Sequence, residues 1–456
     1  MLQFDRDLLR KYDVRGPRYT SYPTAPQFTE AFTVADYAEK AQQVGQKEAP
    51  LSLYVHIPFC NTICFYCGCN KVITANYKRA ESYLDFLEIE MELQSEWFGH
   101  REITQLHFGG GTPTYLNEAD FRRVMTDLRR YFNLSDSPER EFSIEIDPRT
   151  VTREKMALLA ELGFNRMSLG VQDFDPAVQK AVNRIQSVEQ TRAVLEAGRE
   201  LGFRSTNVDL IYGLPLQTKK SFLQTLNTVI EMKPERLAVY SYAHMPQLFK
   251  TQKQIKEEEL PSAEEKLDLL ELTIDTFTQA GYQYIGMDHF ALPTDGLAVA
   301  LEQGTLQRNF QGYSTHAELD MLSLGVSSIG FLDDTYTQNS RDINEYQTAL
   351  GEKRLPIMRG STLTKEDKLR RRVIQDIMCQ GVLRFEEIET LFEINFKQHF
   401  AKELAAVTEL VADELILVDD ETLQVTPRGR QFLRNIAMVF DEYLTADGPE
   451  RYSKAI

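Results

Sequence analysis

From residue 51 onward, short apolar runs alternate with longer segments in which apolar residues recur at helical spacing. The runs are Leu51–Ile57, Thr104–Phe108, Phe142–Ile146, Arg166–Leu169, Thr206–Ile211 and Leu237–Tyr242, and they read as buried strands. Between them, Tyr77–Phe98, Glu118–Phe132, Arg153–Leu162, Val188–Leu201 and Lys219–Met232 read as helices. Strand–helix alternation predicts an α/β fold with a parallel sheet, because each parallel neighbour is reached through a crossover. Six such units fit either a doubly wound sheet or a full or partial barrel. Both architectures bind ligands at the C-terminal ends of the strands.

The unusual residues collect at those ends. His56 and Cys60 follow the first run, and Gly109-Gly110-Gly111-Thr112-Pro113 follows the second. Glu145 and Asp147 end the third; Gly170, Gln172 and Asp173 follow the fourth. Asp209, Tyr212 and Gly213 end the fifth, and Ala243 and His244 end the sixth. One rim therefore carries the candidate chemistry.

The flanking segments have a different texture. Arg15–Thr24 contains Gly16, Pro17 and Pro23, which predicts an extended arm, either a strap over the core or a lid. Gln283–Phe290 reads as one extra strand, and residues 309–330 read as small, polar loops touching a site. From about residue 360 helices predominate. Thr364-Lys365-Glu366-Asp367 resembles an N-cap box, and Leu415–Val425 reads as a hairpin turning at Asp419-Asp420. Helices with a hairpin also fit a winged helix. The expected segments are an arm at 1–50, the barrel core at 51–300, site-covering loops at 301–360 and a mainly helical domain at 361–456.

Composition narrows the function. A chain of 456 residues exceeds one compact core. Hydrophobic residues at 42% and charged residues at 26% are ordinary for a soluble protein. No apolar run approaches a membrane span, and Met1–Asp7 lacks a secretory pattern, so the expected location is the cytoplasm. A net charge of −17 argues against a broad nucleic-acid face, though a basic pocket remains compatible with it. No exposed coiled-coil seam is visible, so a monomer is expected.

Of five cysteines, Cys60, Cys64, Cys67 and Cys69 lie together and Cys379 lies far away. In a reducing compartment that clustering points to a metal site rather than to disulfides. The spacing Cys-x3-Cys-x2-Cys places three thiolates in one loop. They can bind three irons of a 4Fe–4S cluster and leave the fourth iron open. The competing reading is a zinc held by all four cysteines, but zinc motifs usually come as two separated pairs. Cys69 is either a spectator or a functional extra. The glycines of Gly109–Gly111 permit close backbone approach to a ligand. Glu145 could fix a turn. Arg184 could pair with a carboxylate or sit solvated on a helix. Asp209, inside an apolar run, needs a partner such as a ribose diol or a helix N-terminus.

The cysteine loop, with Tyr66 one residue before its last ligand, closely resembles the radical S-adenosylmethionine (SAM) superfamily. In that superfamily the open iron chelates SAM, and reductive cleavage yields a 5′-deoxyadenosyl radical. Gly109–Thr114 resembles its GGG-T-P loop, which contacts the methionine part of SAM. Longer motifs narrow the likeness: Gly16–Thr24, Tyr54–Cys60, Cys67–Asn70, His107–Tyr115, Asp209–Pro215, Gly286–Phe290 and Asn309–Tyr313. From about residue 10 to the C-terminus the chain resembles the bacterial oxygen-independent coproporphyrinogen III oxidases (dehydrogenases).

That resemblance implies a partial (β/α)6 barrel with an N-terminal arm and a mainly helical C-terminal domain. It implies one 4Fe–4S cluster on Cys60, Cys64 and Cys67, and two SAM molecules. Tyr54, Gly110, Glu145 and Ile329 would contact one SAM; Tyr66, Gly111, Thr112, Gln172, Arg184, Asp209 and Ala243 would contact the other. Tyr54 and His56 are the catalytic candidates. The implied reaction converts two propionates of coproporphyrinogen III to vinyls, giving protoporphyrinogen IX, with an electron donor and acceptor that the sequence does not identify. Arg18 is a candidate for the substrate carboxylates. A related family of haem chaperones shares the cluster motif but lacks the second cysteine of Cys67-Gly68-Cys69 and the Arg-Tyr-Thr-Ser-Tyr-Pro arm. This chain has both, which favours the enzyme.

Overall fold

The computed structural model describes residues 4–315, 319–444 and 452. Contacts divide the chain into two units. The larger comprises Phe28–Thr276 and Leu319–Thr362; the smaller comprises Met1–Gln27, Phe277–Glu318 and Leu363–Ile456.

Six parallel strands organise the larger unit: β1 (Leu51–Ile57), β2 (Glu102–Gly110), β3 (Glu141–Ile146), β4 (Arg166–Gln172), β5 (Ser205–Tyr212) and β6 (Arg236–Ser241). Each pairs with the next in chain order, so the spatial order never reverses. A doubly wound sheet requires a reversal. An unreversed run is the arrangement of a partial (β/α)6 barrel.

Helices α1 (Lys78–Phe98), α2 (Glu118–Tyr131), α3 (Arg153–Glu161), α4 (Val188–Glu200), α5 (Lys219–Met232) and α6 (Ala263–Gln279) follow the strands. Asn117, Thr152, Ser187 and Thr218 cap α2 to α5 by accepting backbone N–H groups. These caps explain why the helix starts agree with the spacing in the sequence.

The strands are two-faced. In β3 and β4, Phe142, Ile144, Ile146, Met167, Leu169 and Val171 are buried. The alternate positions, including Ser143, Glu145, Ser168 and Gly170, are half-buried. The apolar face packs on helices: Met167 meets Gly198 of α4, where a Cβ would lie 2.3 Å from its methyl carbon. The polar face is left for the site.

About half of residues 309–330, expected as loops, lie in strands. β7 (Asp320–Leu324) pairs parallel to β1, and β8 (Ile329–Leu332), β9 (Thr335–Asn339) and β10 (Ile357–Thr362) extend the sheet antiparallel. The polar character misleads because these strands bury polar groups with partners. Asp320 accepts from Arg101 at 3.0 Å and from the Asp333 N–H at 2.6 Å. Glu90 of α1 is fully buried and accepts from Gly325 N, Asn339 Nδ2 and Tyr346 Oη at 2.6–2.7 Å. Residues 316–318 of that stretch lie outside the described residues.

In the smaller unit, Gln283–Phe290 is a hairpin rather than one strand. Gln283–Gly286 pairs with His289–Ala291 and the chain reverses at Met287, φ 51°. Thr364 and Asp367 form a reciprocal capping box at the start of the Lys365–Gln375 helix. The expected hairpin is present as Ile416–Val418 and Thr422–Val425, with Val382–Arg384 as a third strand. The arm is buried in this unit: Tyr19 donates to Asp441 at 2.9 Å and Arg434 to the Pro17 carbonyl at 2.8 Å. Among the described residues, no helix is long and apolar enough to cross a membrane.

Candidate active site

β1 delivers the chain into the cysteine loop. Phe59–Cys60 pairs with Val72–Ile73, closing the loop at its base. The glycine turn after β2 lies against it. The Gly111 N–H donates to Ile57 O at 2.9 Å, and a Cβ there would lie 2.4 Å from Pro58 O. Gly110 has φ +120°, and a Cβ would lie 2.8 Å from the His56 ring. Only glycine lets these two loops meet.

The loops enclose a cavity of about 470 Å³. Cys60, Cys64, Cys67, Tyr66, Gly110, Gly111, Thr112, Glu145, Gln172, Arg184 and Asp209 line it. Cys69 lines it too. Tyr54, His56, Ala243 and Ile329 do not. Tyr54 and His56 stand directly behind the lining; Ala243 follows β6; Ile329 opens β8 on the antiparallel extension.

Each thiolate of a four-iron cluster bonds a different iron, so its ligands need to line a cavity rather than meet at a point. Among the described residues, no three His, Cys, Asp or Glu side chains are grouped to hold a single metal ion. Cys60 Sγ lies 3.3 Å from Thr112 Oγ1, and burial pushes its thiol up to about 11. Iron uptake has to displace that proton. Arg184 and Arg149 donate to Cys64 Sγ at 3.7 and 3.8 Å. Lys71 Nζ donates to the Cys67 carbonyl at 2.9 Å.

Behind the cavity, His56 Nε2 lies 3.1 Å from the Asn70 carbonyl and Nδ1 lies 3.0 Å from Tyr54 Oη. A carbonyl only accepts, so Nε2 carries the proton and Nδ1 accepts from Tyr54. Burial pushes this imidazole down to about 4, so it is neutral at physiological pH. Tyr54 stacks on His107 with ring centroids 5.8 Å apart. Glu145 Oε2 accepts from the Gly110 N–H at 3.2 Å, and Oε1 lies 3.4 Å from His107 Nε2.

Also lining the cavity, Asp209 accepts from Asn207 at 2.7 Å and Ser168 at 3.0 Å. Burial, followed by the charge of Glu145, pushes its carboxyl up to about 6. Gln172 has φ 70° at a register shift between β4 and β5, which turns it out of the strand. Burial alone would raise the Asp147 carboxyl, but hydrogen bonds from Arg149 and the charge of Arg184 hold it below the usual range. Arg184 is nearly buried, and its Nε has no hydrogen-bond partner among the described residues.

A family model of the radical SAM superfamily matches residues 54–229. Oxygen-independent coproporphyrinogen III oxidase of Pseudomonas aeruginosa is 50% identical over 456 residues, covering 100% of this chain and 99% of the relative. This chain belongs to the oxygen-independent coproporphyrinogen III oxidase family. The relative of the same name from Escherichia coli K12 is 47% identical, covering 97% and 96%. A solved structure of coproporphyrinogen III oxidase (HemN) from Escherichia coli, described as a radical SAM enzyme, superposes with a TM-score of 0.93 at 46% identity. It covers 97% of this chain and 100% of that one. The HemN C-terminal domain matches residues 363–432.

Lys71, Arg149 and Ser168 also line this site and Gln252 supports it, none of them marked by a motif in the sequence. Gln252 is 2% exposed and donates to the carbonyls of Tyr66 at 2.9 Å and Ala243 at 3.2 Å. Ser168 and Asn207 carried a signal: with Asp209 they are the polar members of a period-2 alternation. Arg149 and Gln252 sit on short 3-10 turns, which carry no such pattern.

Proposed function

We propose that this chain converts two propionate side chains of coproporphyrinogen III to vinyl groups, giving protoporphyrinogen IX and carbon dioxide. One observation carries the proposal. Cys60, Cys64 and Cys67 open onto the same cavity as Glu145, Gln172, Arg184 and Asp209, in a chain similar over its whole length to enzymes named for this substrate.

The cavity's chemistry fits the expected cofactors. Three thiols at one end suit a 4Fe–4S cluster with one iron open. A carboxylate pre-oriented by two donors at Asp209 suits ribose hydroxyls, and the orphaned Arg184 Nε is a donor awaiting a partner. When bound, the cluster and SAM supply a 5′-deoxyadenosyl radical that takes a hydrogen atom, the remaining electron leaving to an external acceptor as carbon dioxide departs.

The protein's share is positioning. Tyr54, Gly110, Glu145 and Ile329 serve one SAM in this reading. Tyr66, Gly111, Thr112, Gln172, Arg184, Asp209 and Ala243 serve a second. The neutral His56 fixes the Tyr54 hydroxyl, so this pair holds a proton at Tyr54 Oη rather than donating an extra one. Arg18 is ion-paired with Asp288, so it meets a substrate carboxylate only by sharing or leaving that partner. The proposal places the enzyme as a monomer in the cytoplasm, where its neighbouring thiols stay reduced, served by an external electron donor.

Two variants test the assignment. Cys64→Ala is expected to lose the iron–sulfur absorbance and SAM cleavage, while Cys379→Ala keeps both. Full cluster content in Cys64→Ala would refute the ligand set.

A further inference from the structure

Three charged side chains meet behind Cys64. Asp147 caps the short turn Pro148–Thr150 and accepts from Arg149 Nη2 at 2.6 Å, Arg149 Nε at 2.9 Å and Arg184 Nη1 at 3.2 Å. Those same two terminal nitrogens reach Cys64 Sγ, at 3.8 Å from Arg149 and 3.7 Å from Arg184. The side chains of Arg149, Asp147 and Arg184 are only 18%, 9% and 8% exposed. The other two ligands differ in degree: Cys60 has a neutral hydroxyl beside it, and Cys67 has the single ammonium of Lys71, whereas Cys64 has two guanidiniums.

The charge count is unbalanced. Around Cys64, two guanidiniums face one carboxylate, leaving one positive charge at the wall of the cavity. Leaving such a charge unmatched is costly. An iron-bound cysteine sulfur is anionic, and Cys64 is where both guanidiniums point. Adding an electron to a cluster makes its sulfurs more negative. Donors and positive charge beside them therefore favour the reduced form.

We infer that Arg149, anchored by Asp147, is a positioning residue that sets the charge at the Cys64 ligand and thereby raises the reduction potential of the cluster. The inference rests on Cys60, Cys64 and Cys67 being the cluster ligands. Asp147 works against it, and the difference between the two sets the potential.

The test uses the full chain, reconstituted anaerobically with iron and sulfide and titrated with reductant while the reduced cluster is followed by electron paramagnetic resonance. Arg149→Gln is expected to shift the midpoint to more negative potential. Asp147→Asn is expected to shift it to more positive potential, and Arg149→Lys to restore most of the parent value. Opposite shifts from two hydrogen-bonded neighbours are not produced by general loosening. Unshifted midpoints, or shifts of the same sign, in variants with full iron content would overturn the inference. If Arg149→Gln fails to take up iron, the sign of the Asp147→Asn shift decides. A parent chain that takes up no cluster would instead defeat the ligand assignment.

Discussion

A single proton position organises the back wall of the cavity. Because Asn70 offers His56 only a carbonyl, the imidazole must donate through Nε2 and accept through Nδ1. Its folded value of about 4 lies below the ~6.5 of an unfolded chain. The unfolded state thus takes up this proton first as the pH falls. The His56 contribution to stability is complete above about pH 6.5 and is lost progressively towards pH 4, by on the order of 3 kcal/mol. Urea midpoints of the parent and His56→Asn at pH 7.5 and pH 5 check this. The parent is expected to lose more stability than the variant, and equal losses would contradict it. At this scale the cysteines and glycines were legible in sequence, because their spacing alone carries the constraint. Ser168 and Asn207 are harder to find there, because the runs that hold them read as apolar strands, although Ser168 lines the cavity and Asn207 bonds Asp209 beside it.

One short element secures the cysteine loop. Lys250–Gln254 is a single 3-10 turn with no periodic signal in the sequence. Phe249 packs so closely on Gly68 that a Cβ there would lie 3.1 Å from its ring. Thr251 donates to Cys67 O at 3.2 Å, and Gln252 joins Tyr66 O to Ala243 O while accepting from Met245 N at 2.6 Å. Removing a buried partner costs ~1–3 kcal/mol per group left unpaired. Gln252→Ala is therefore expected to speed iron loss to a chelator by about tenfold, the equivalent of ~1.4 kcal/mol. An unchanged rate would show that the turn does not hold the loop. The crossover strands and helices were legible because each is specified locally, by a run, a period and a cap. β7 was not, because its partner β1 is distant in sequence: Leu51 pairs with Asp320. Nothing local to 320–324 announces that pairing, and its buried polar residues look like a loop until their partners are known.

Across the whole molecule, strand order decides what the pattern of runs leaves open. The same six units would suit a doubly wound sheet, and only the unreversed pairing from β1 to β6 gives the partial barrel. Both contact-defined units are assembled from separate stretches of chain. Such an arrangement depends on long-range packing that no window of sequence contains. The site likewise depends on tertiary packing within the larger unit, since it needs the cysteine loop and the polar strand face together. The most direct test is therefore made on the intact protein. It is reconstituted anaerobically with iron and sulfide, reduced, and given SAM and coproporphyrinogen III. 5′-Deoxyadenosine and protoporphyrinogen IX are then measured in the same samples. The account predicts both products, at close to one deoxyadenosine per vinyl group formed. Deoxyadenosine without protoporphyrinogen IX, or haem binding without turnover of coproporphyrinogen III, would contradict it.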